Sequence, residues 1–128
     1  MKPVEIVQSF IDRINMHDID KMCELMTEDH LYIDSGGYST RSRKAMRTVW
    51  RDFFAIMPDY WIQAERIISE GDTVAVFGRA IGTYTKDGII DPRNVWKVNA
   101  AWRAGIRDDK VALWQIYSDT SPIKKVMG

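Results

Sequence analysis

The sequence predicts an α+β fold in which a cone-shaped, curved antiparallel sheet is wrapped around three N-terminal helices. Three observations point there. Apolar residues recur at helical spacing up to Pro58 and at two-residue spacing after it. The elements run helix, helix, short strand, helix and then four long strands, an order that segregates helices to one face of a sheet. Gly78, Ala80 and Gly82 alternate along one strand and strip bulk from one of its faces, which lets a sheet bend sharply.

Each element has its own signal. Pro3 suits a first helical turn, and Val4, Val7, Phe10, Ile11 and Ile14 follow as one apolar stripe, giving a helix over 3–16. Asp18 can cap a second helix over 19–27 that carries Ile19, Met22, Cys23, Leu25 and Met26. Cys23 lies on its apolar side and reads as a small buried hydrophobe, since no acid or base is placed beside it. A brief strand runs from His30 to Asp34. Ser42 can cap a third helix over 43–57, in which Ala45, Met46, Val49, Trp50, Phe53, Phe54 and Met57 keep the i, i+3, i+4 rule until Pro58 stops it. Strands over about 60–69, 73–85, 94–106 and 111–119, parted by Glu70-Gly71-Asp72, Lys86-Asp87-Gly88 and Arg107-Asp108-Asp109, make an antiparallel meander. Strands 73–85 and 94–106 are apolar on both faces. One face covers the core, and the other is expected to meet a second copy, a homodimer with Lys97, Asn99, Ala101 and Arg103 near the contact.

Composition narrows the function. The 128 residues make one domain, 1–128, and 45% hydrophobic content with five Trp supplies a sizeable core and room for a cavity. Eighteen basic residues balance eighteen acidic ones, so no positive field exists to hold nucleic acid or an anionic membrane. The one basic run, Arg41, Arg43, Lys44 and Arg47, reads as a solvated face. No segment approaches the roughly 20 apolar residues that span a bilayer, and Met1-Lys2-Pro3-Val4-Glu5 lacks the apolar run of a signal peptide, so a cytoplasmic location is expected. Two His, one Cys and no ligand spacing speak against a metal, and Gly36-Gly37 does not open a helix as a phosphate loop does. No cofactor is expected.

The stretch Thr27-Glu28-Asp29-His30-Leu31-Tyr32-Ile33-Asp34-Ser35-Gly36-Gly37 carries the candidate chemistry. Strand alternation groups His30, Tyr32 and Asp34 on one face. An acid at the mouth of a hydrophobic pocket can act as general base, with Tyr32 or His30 as polariser. Asp before Ser-Gly-Gly equally serves to tighten a turn. Helical and strand spacing places Trp50, Phe54, Trp96, Trp102 and Trp114 around the same pocket, although such residues also build ordinary cores.

The element order, together with the closing Val111-Ala112-Leu113-Trp114-Gln115-Ile116-Tyr117-Ser118-Asp119, resembles the nuclear transport factor 2-like superfamily and, within it, the SnoaL-like proteins. The resemblance spans nearly the whole chain. It implies a cone-shaped α+β barrel, frequent dimers and a cofactor-free pocket. Glu28-Asp29 followed by Asp34 is similar to the acid-acid-x-x-x-x-Asp of ketosteroid isomerases, which implies Asp34 as general base. Their helix-one tyrosine falls on Phe10 and their protonated strand aspartate on Ala100 or Ala101, so their oxyanion hole does not carry over. Trp114, Tyr117 and Asp119 match the Trp-x-x-Tyr-x-Asp of limonene epoxide hydrolases, whose catalytic aspartate is replaced here by Ile116. Polyketide cyclases of the SnoaL type use an acid near this strand's end, which makes Asp119 a second candidate.

These readings lead to a small hydrophobic molecule as partner and to a cofactor-free isomerase, cyclase or dehydratase. The candidate catalytic residues are Asp34, Tyr32, His30 and Asp119, and the candidate substrate contacts are Trp50, Phe54, Trp96, Trp102, Trp114 and Phe10. The alternative is a noncatalytic ligand-binding or protein-interaction module of the same fold.

Overall fold

In the computed structural model, which describes residues 1–128, three helices fill the concave side of one six-stranded sheet. Helix α1 spans Pro3–Asn15, α2 spans Ile19–Glu24 and α3 spans Arg43–Ile56. The strands are β1 (Met26–Ile33), β2 (Ser39–Arg41), β3 (Trp61–Glu70), β4 (Thr73–Thr83), β5 (Val95–Arg107) and β6 (Lys110–Ser118), and a last helix, α4, spans Ser121–Met127. The sheet order is β2-β1-β6-β5-β4-β3. Only the β1–β6 pair is parallel, so the four long strands form the expected antiparallel meander.

Local signals account for the helix starts. Pro3 occupies the first turn of α1, which buries Ile6, Val7, Phe10, Ile11 and Ile14. The Asp18 side chain accepts the Lys21 N–H at 3.1 Å, and the Ser42 hydroxyl accepts the Ala45 N–H at 3.0 Å. Helix α2 ends at Glu24 rather than 27. Leu25 C=O accepts the Val111 N–H at 2.7 Å and Met26 pairs with Val111, so the sheet claims the residues that helical spacing had assigned to α2. Strand β1 consequently begins four residues before His30.

Strand β5 shows how one sheet serves two surfaces. Trp96, Val98, Ala100, Trp102, Ala104 and Ile106 point inward and are buried, while Lys97, Asn99 and Arg103 are exposed on the outer face. Curvature is set next door. A Cβ on Gly78 would lie 1.9 Å from the Gln63 carbonyl oxygen, beside the bulge between Ala64 and Arg66, and one on Gly82 would lie 2.7 Å from the Trp96 ring. Absence of side chains there lets backbone and indole close in.

Two elements lie outside the periodicity reading. Strand β2 is three residues long, too short to show alternation. Helix α4 is seven residues long, and its signal was present: Asp119 Oδ1 accepts the Ser121 N–H at 2.9 Å and Pro122 stands in its first turn. No helix is long and apolar enough to cross a membrane.

Candidate active site

A cavity of about 380 Å³ opens between the sheet, α3 and α4. Its inner wall is Ala80, Trp96, Val98 and Ile116 from β4, β5 and β6; Phe53 and Tyr60 close one side and Ile123 and Met127 of α4 the other. Ten of the sixteen residues around it are apolar, so a ligand here is held mainly by desolvation. Larger hollows exist, such as one of about 560 Å³ beside Met16 and Arg47, but only two of its seven lining residues are apolar, and it has the character of an open surface groove.

Asp34 sits on this cavity where β1 turns toward β2. Its Oδ1 accepts the N–H groups of Gly36 at 2.9 Å and Tyr38 at 3.0 Å, and its own N–H donates to the Tyr38 carbonyl at 2.9 Å. Both sequence readings of Asp34 therefore meet in one side chain. Oδ1 holds the turn, and Oδ2 makes no hydrogen bond to the protein.

Two phenols accompany it. Tyr32 and Tyr60 both line the cavity, and neither hydroxyl has a protein hydrogen-bond partner. Neither is among the sealed unpaired atoms, which are Thr27 Oγ1, His30 Nε2 and Trp50 Nε1, so both hydroxyls keep accessible surface. Burial, then the Asp34 charge, pushes the Tyr32 phenol up to about 12. Burial pushes Tyr60 above the ordinary phenol range, with Tyr32 adding to it. At neutral pH both remain O–H donors. Strand periodicity in the sequence starts at Tyr60 without assigning it to the pocket; β3 begins at Trp61, so Tyr60 lies in the turn after Pro58 and its side chain reaches the cavity from there.

His30 is fully buried away from the cavity. Its Nδ1 lies 2.6 Å from the Val111 carbonyl oxygen, and burial lowers its basicity below the ordinary value. His30 packs in the core beside Phe10, with ring centroids 6.2 Å apart, while Tyr32, two residues further along β1, reaches the cavity. Trp50, Trp102 and Trp114 are core residues rather than cavity walls: Trp102 stacks on Trp114 at 6.3 Å, and Trp114 packs edge-on against Phe10 at 5.1 Å. Phe54 stacks on His17 at 4.0 Å, and Phe53, one helical position away, takes the place at the cavity. Of the six expected substrate contacts, only Trp96 lines it. Its indole N–H points at Met57 Sδ, 3.1 Å away, so it offers a ligand its ring and no donor.

Residues 7–114 match the family model of the SnoaL-like domain. The chain belongs to that family. Among solved structures with this fold is a nuclear transport factor 2-like protein from Burkholderia thailandensis, 20% identical, covering all of this chain and 98% of the other with a TM-score of 0.84. IdmH from Streptomyces antibioticus, a suggested polyketide cyclase, is 20% identical over 100% of this chain and 99% of its own (TM-score 0.82). An LEH-like epoxide hydrolase from M. tuberculosis is 18% identical over 97% and 87% (TM-score 0.80). No curated protein matches.

Within this SnoaL-like domain, the positions that the resemblance singled out are arranged as follows. Phe10 is sealed in the core, and Ala100 and Ala101 offer no polar group. Asp119 does not line the cavity: its Oδ1 accepts both the N–H and the hydroxyl of Ser121, contacts that hold the carboxyl below its ordinary range. Tyr117 projects from the outer face and is 48% exposed. No group of three or more His, Cys, Asp or Glu side chains converges as a metal-binding cluster.

Proposed function

We propose that this SnoaL-like protein is a cofactor-free enzyme that moves a proton on a hydrophobic, oxygenated small molecule, as an isomerase, cyclase or dehydratase. The observation that carries the reading is the pairing, in one mainly apolar cavity, of a carboxylate oxygen without a protein partner and two protonated phenols without partners. Asp34 Oδ2 takes a proton from the carbon beside a substrate carbonyl. The electron pair of that C–H bond moves onto the carbonyl oxygen, where Tyr32 and Tyr60 donate hydrogen bonds to the developing charge. Return of the proton at another carbon isomerises the substrate; alternatively the carbanion attacks a second carbonyl, whose π electrons move onto its oxygen, and the proton held by Asp34 passes to that oxygen to give the cyclised alcohol. Oδ1, tied to two backbone N–H groups, keeps the carboxylate oriented. The test is α-hydrogen exchange of 2-tetralone in D₂O followed by NMR. The protein is expected to accelerate it, and Asp34→Asn, which retains an oxygen for the turn, is expected to abolish the acceleration with the fold intact. Unaltered exchange in that variant removes Asp34 from the mechanism.

The turn bonds favour a second reading, in which Asp34 only shapes the turn and the cavity binds without reacting. No acceleration by the wild type, with 2-tetralone bound, selects that reading. The partners of this proposal are a small hydrophobic molecule and a second copy of the chain, the latter docked on the outer sheet face, where Phe77, Ala101 and Tyr117 align across β4, β5 and β6. Phe77 is 47% exposed, an apolar stripe that a monomer leaves in water.

A further inference from the structure

Helix α4 presents Ile123, Lys124 and Met127 to the cavity, and Thr120, its N-cap, joins them on the same stripe. Lys125, one position round, does not line it. Lys124 is the only cationic residue around the cavity, and Asp34 is the only anionic one. Lys124 enters none of the eight ion pairs of the molecule. Beside it the rim carries hydroxyls: Ser35 Oγ and Ser118 Oγ are hydrogen-bonded to each other at 2.8 Å, and Thr120 adds a third. Asp119, the acid next to Thr120, spends Oδ1 on Ser121. An ammonium that forms no ion pair, with the neighbouring Asp119 carboxylate acting on it only through space, stands among hydroxyl donors at the edge of an apolar cavity, a site for an anion attached to an apolar body.

We propose that the ligand of this cavity is a hydrophobic carboxylic acid, with Lys124 and Thr120 holding its carboxylate at the rim while its oxygenated apolar body reaches Tyr32 and Tyr60. This rests on the reading of the cavity as a small-molecule site and adds the charge of the substrate. Tyr32 and Tyr60 supply donors at the inner end, Lys124 supplies charge at the outer end, and the apolar wall between them fixes the orientation of a keto acid.

The test is isothermal titration calorimetry at low ionic strength with two probes of one shape, 2-naphthoate and 2-naphthamide. The wild type is expected to bind the acid about threefold to fivefold more tightly, the range of an exposed ion pair, and added salt is expected to erase the difference. Lys124→Met is expected to bind both probes equally, and Lys125→Met to keep the preference. Equal binding by the wild type, or a preference retained in Lys124→Met, overturns anion recognition alone, because binding of the amide still shows a working cavity. Binding of neither probe overturns the cavity reading and this inference together.

Discussion

Single side chains decide the chemistry, and two of them carry measurable consequences. Tyr60→Phe removes a hydroxyl that no protein group satisfies, so stability is expected to change by less than about 1 kcal/mol. Catalysed exchange of 2-tetralone is expected to fall by about 10²- to 10³-fold, the cost of losing one oxyanion donor. An unchanged exchange rate would take Tyr60 out of the site. His30 governs pH dependence. Burial keeps its folded form neutral, while the unfolded chain gains a proton as pH falls through about 6.5. Protons therefore favour the unfolded state, and stability that is steady above about pH 6.5 is lost progressively below it. The urea midpoint at pH 5.5 is expected to lie below that at pH 7.5. His30→Gln, which retains a donor for the Val111 carbonyl, is expected to flatten the difference. The lowered carboxylates Asp29, Asp87, Asp91 and Asp119 act only near pH 4 and below, outside this window.

At the scale of elements, β4 and α4 shape the cavity in different ways. A methyl group on Gly78 meets backbone of β3, which cannot rotate away, so Gly78→Ala is expected to cost about 2–3 kcal/mol in denaturant unfolding. Gly82→Ala meets the Trp96 ring instead. That ring forms a cavity wall, so the larger expected effect is on 2-naphthamide affinity, read by calorimetry. Helix α4 buries no residue fully, although Ile123 and Val126 pack against the core. Truncation after Thr120 is expected to preserve the far-UV spectrum of the sheet while weakening naphthamide binding. Undiminished binding would mean that α4 is no part of the site.

For the whole molecule, the outer sheet face sets the expected assembly. The register aligns Phe77, Ala101 and Tyr117 in one row, with Arg103 hydrogen-bonded to Gln115 beside them at 3.1 Å. An apolar row edged by polar side chains suits a self-complementary contact between two copies. Light scattering at micromolar concentration is expected to give twice the 14.8 kDa chain mass, and Phe77→Glu is expected to return it to the monomer value. A wild-type mass of 14.8 kDa would refute the contact.

The sequence by itself determined the fold class, the helix starts at Pro3, Asp18 and Ser42, and the inward face of β5, because caps and periodicity are local properties that the backbone obeys wherever the chain lies. It also placed Asp34 at the end of a strand before a turn. Only the tertiary structure decided the end of α2, where pairing of Met26 with Val111 outweighs helical propensity across 85 residues of sequence. It also decided which aromatics meet a ligand. Trp50, Trp102 and Trp114 have the same apolar signature as Trp96, yet closure of the cone buries them in the core and leaves Trp96, Phe53 and Tyr60 at the cavity. Periodicity tells which face a side chain takes, but whether that face meets another side chain or an open space depends on how the helices and sheet pack against each other.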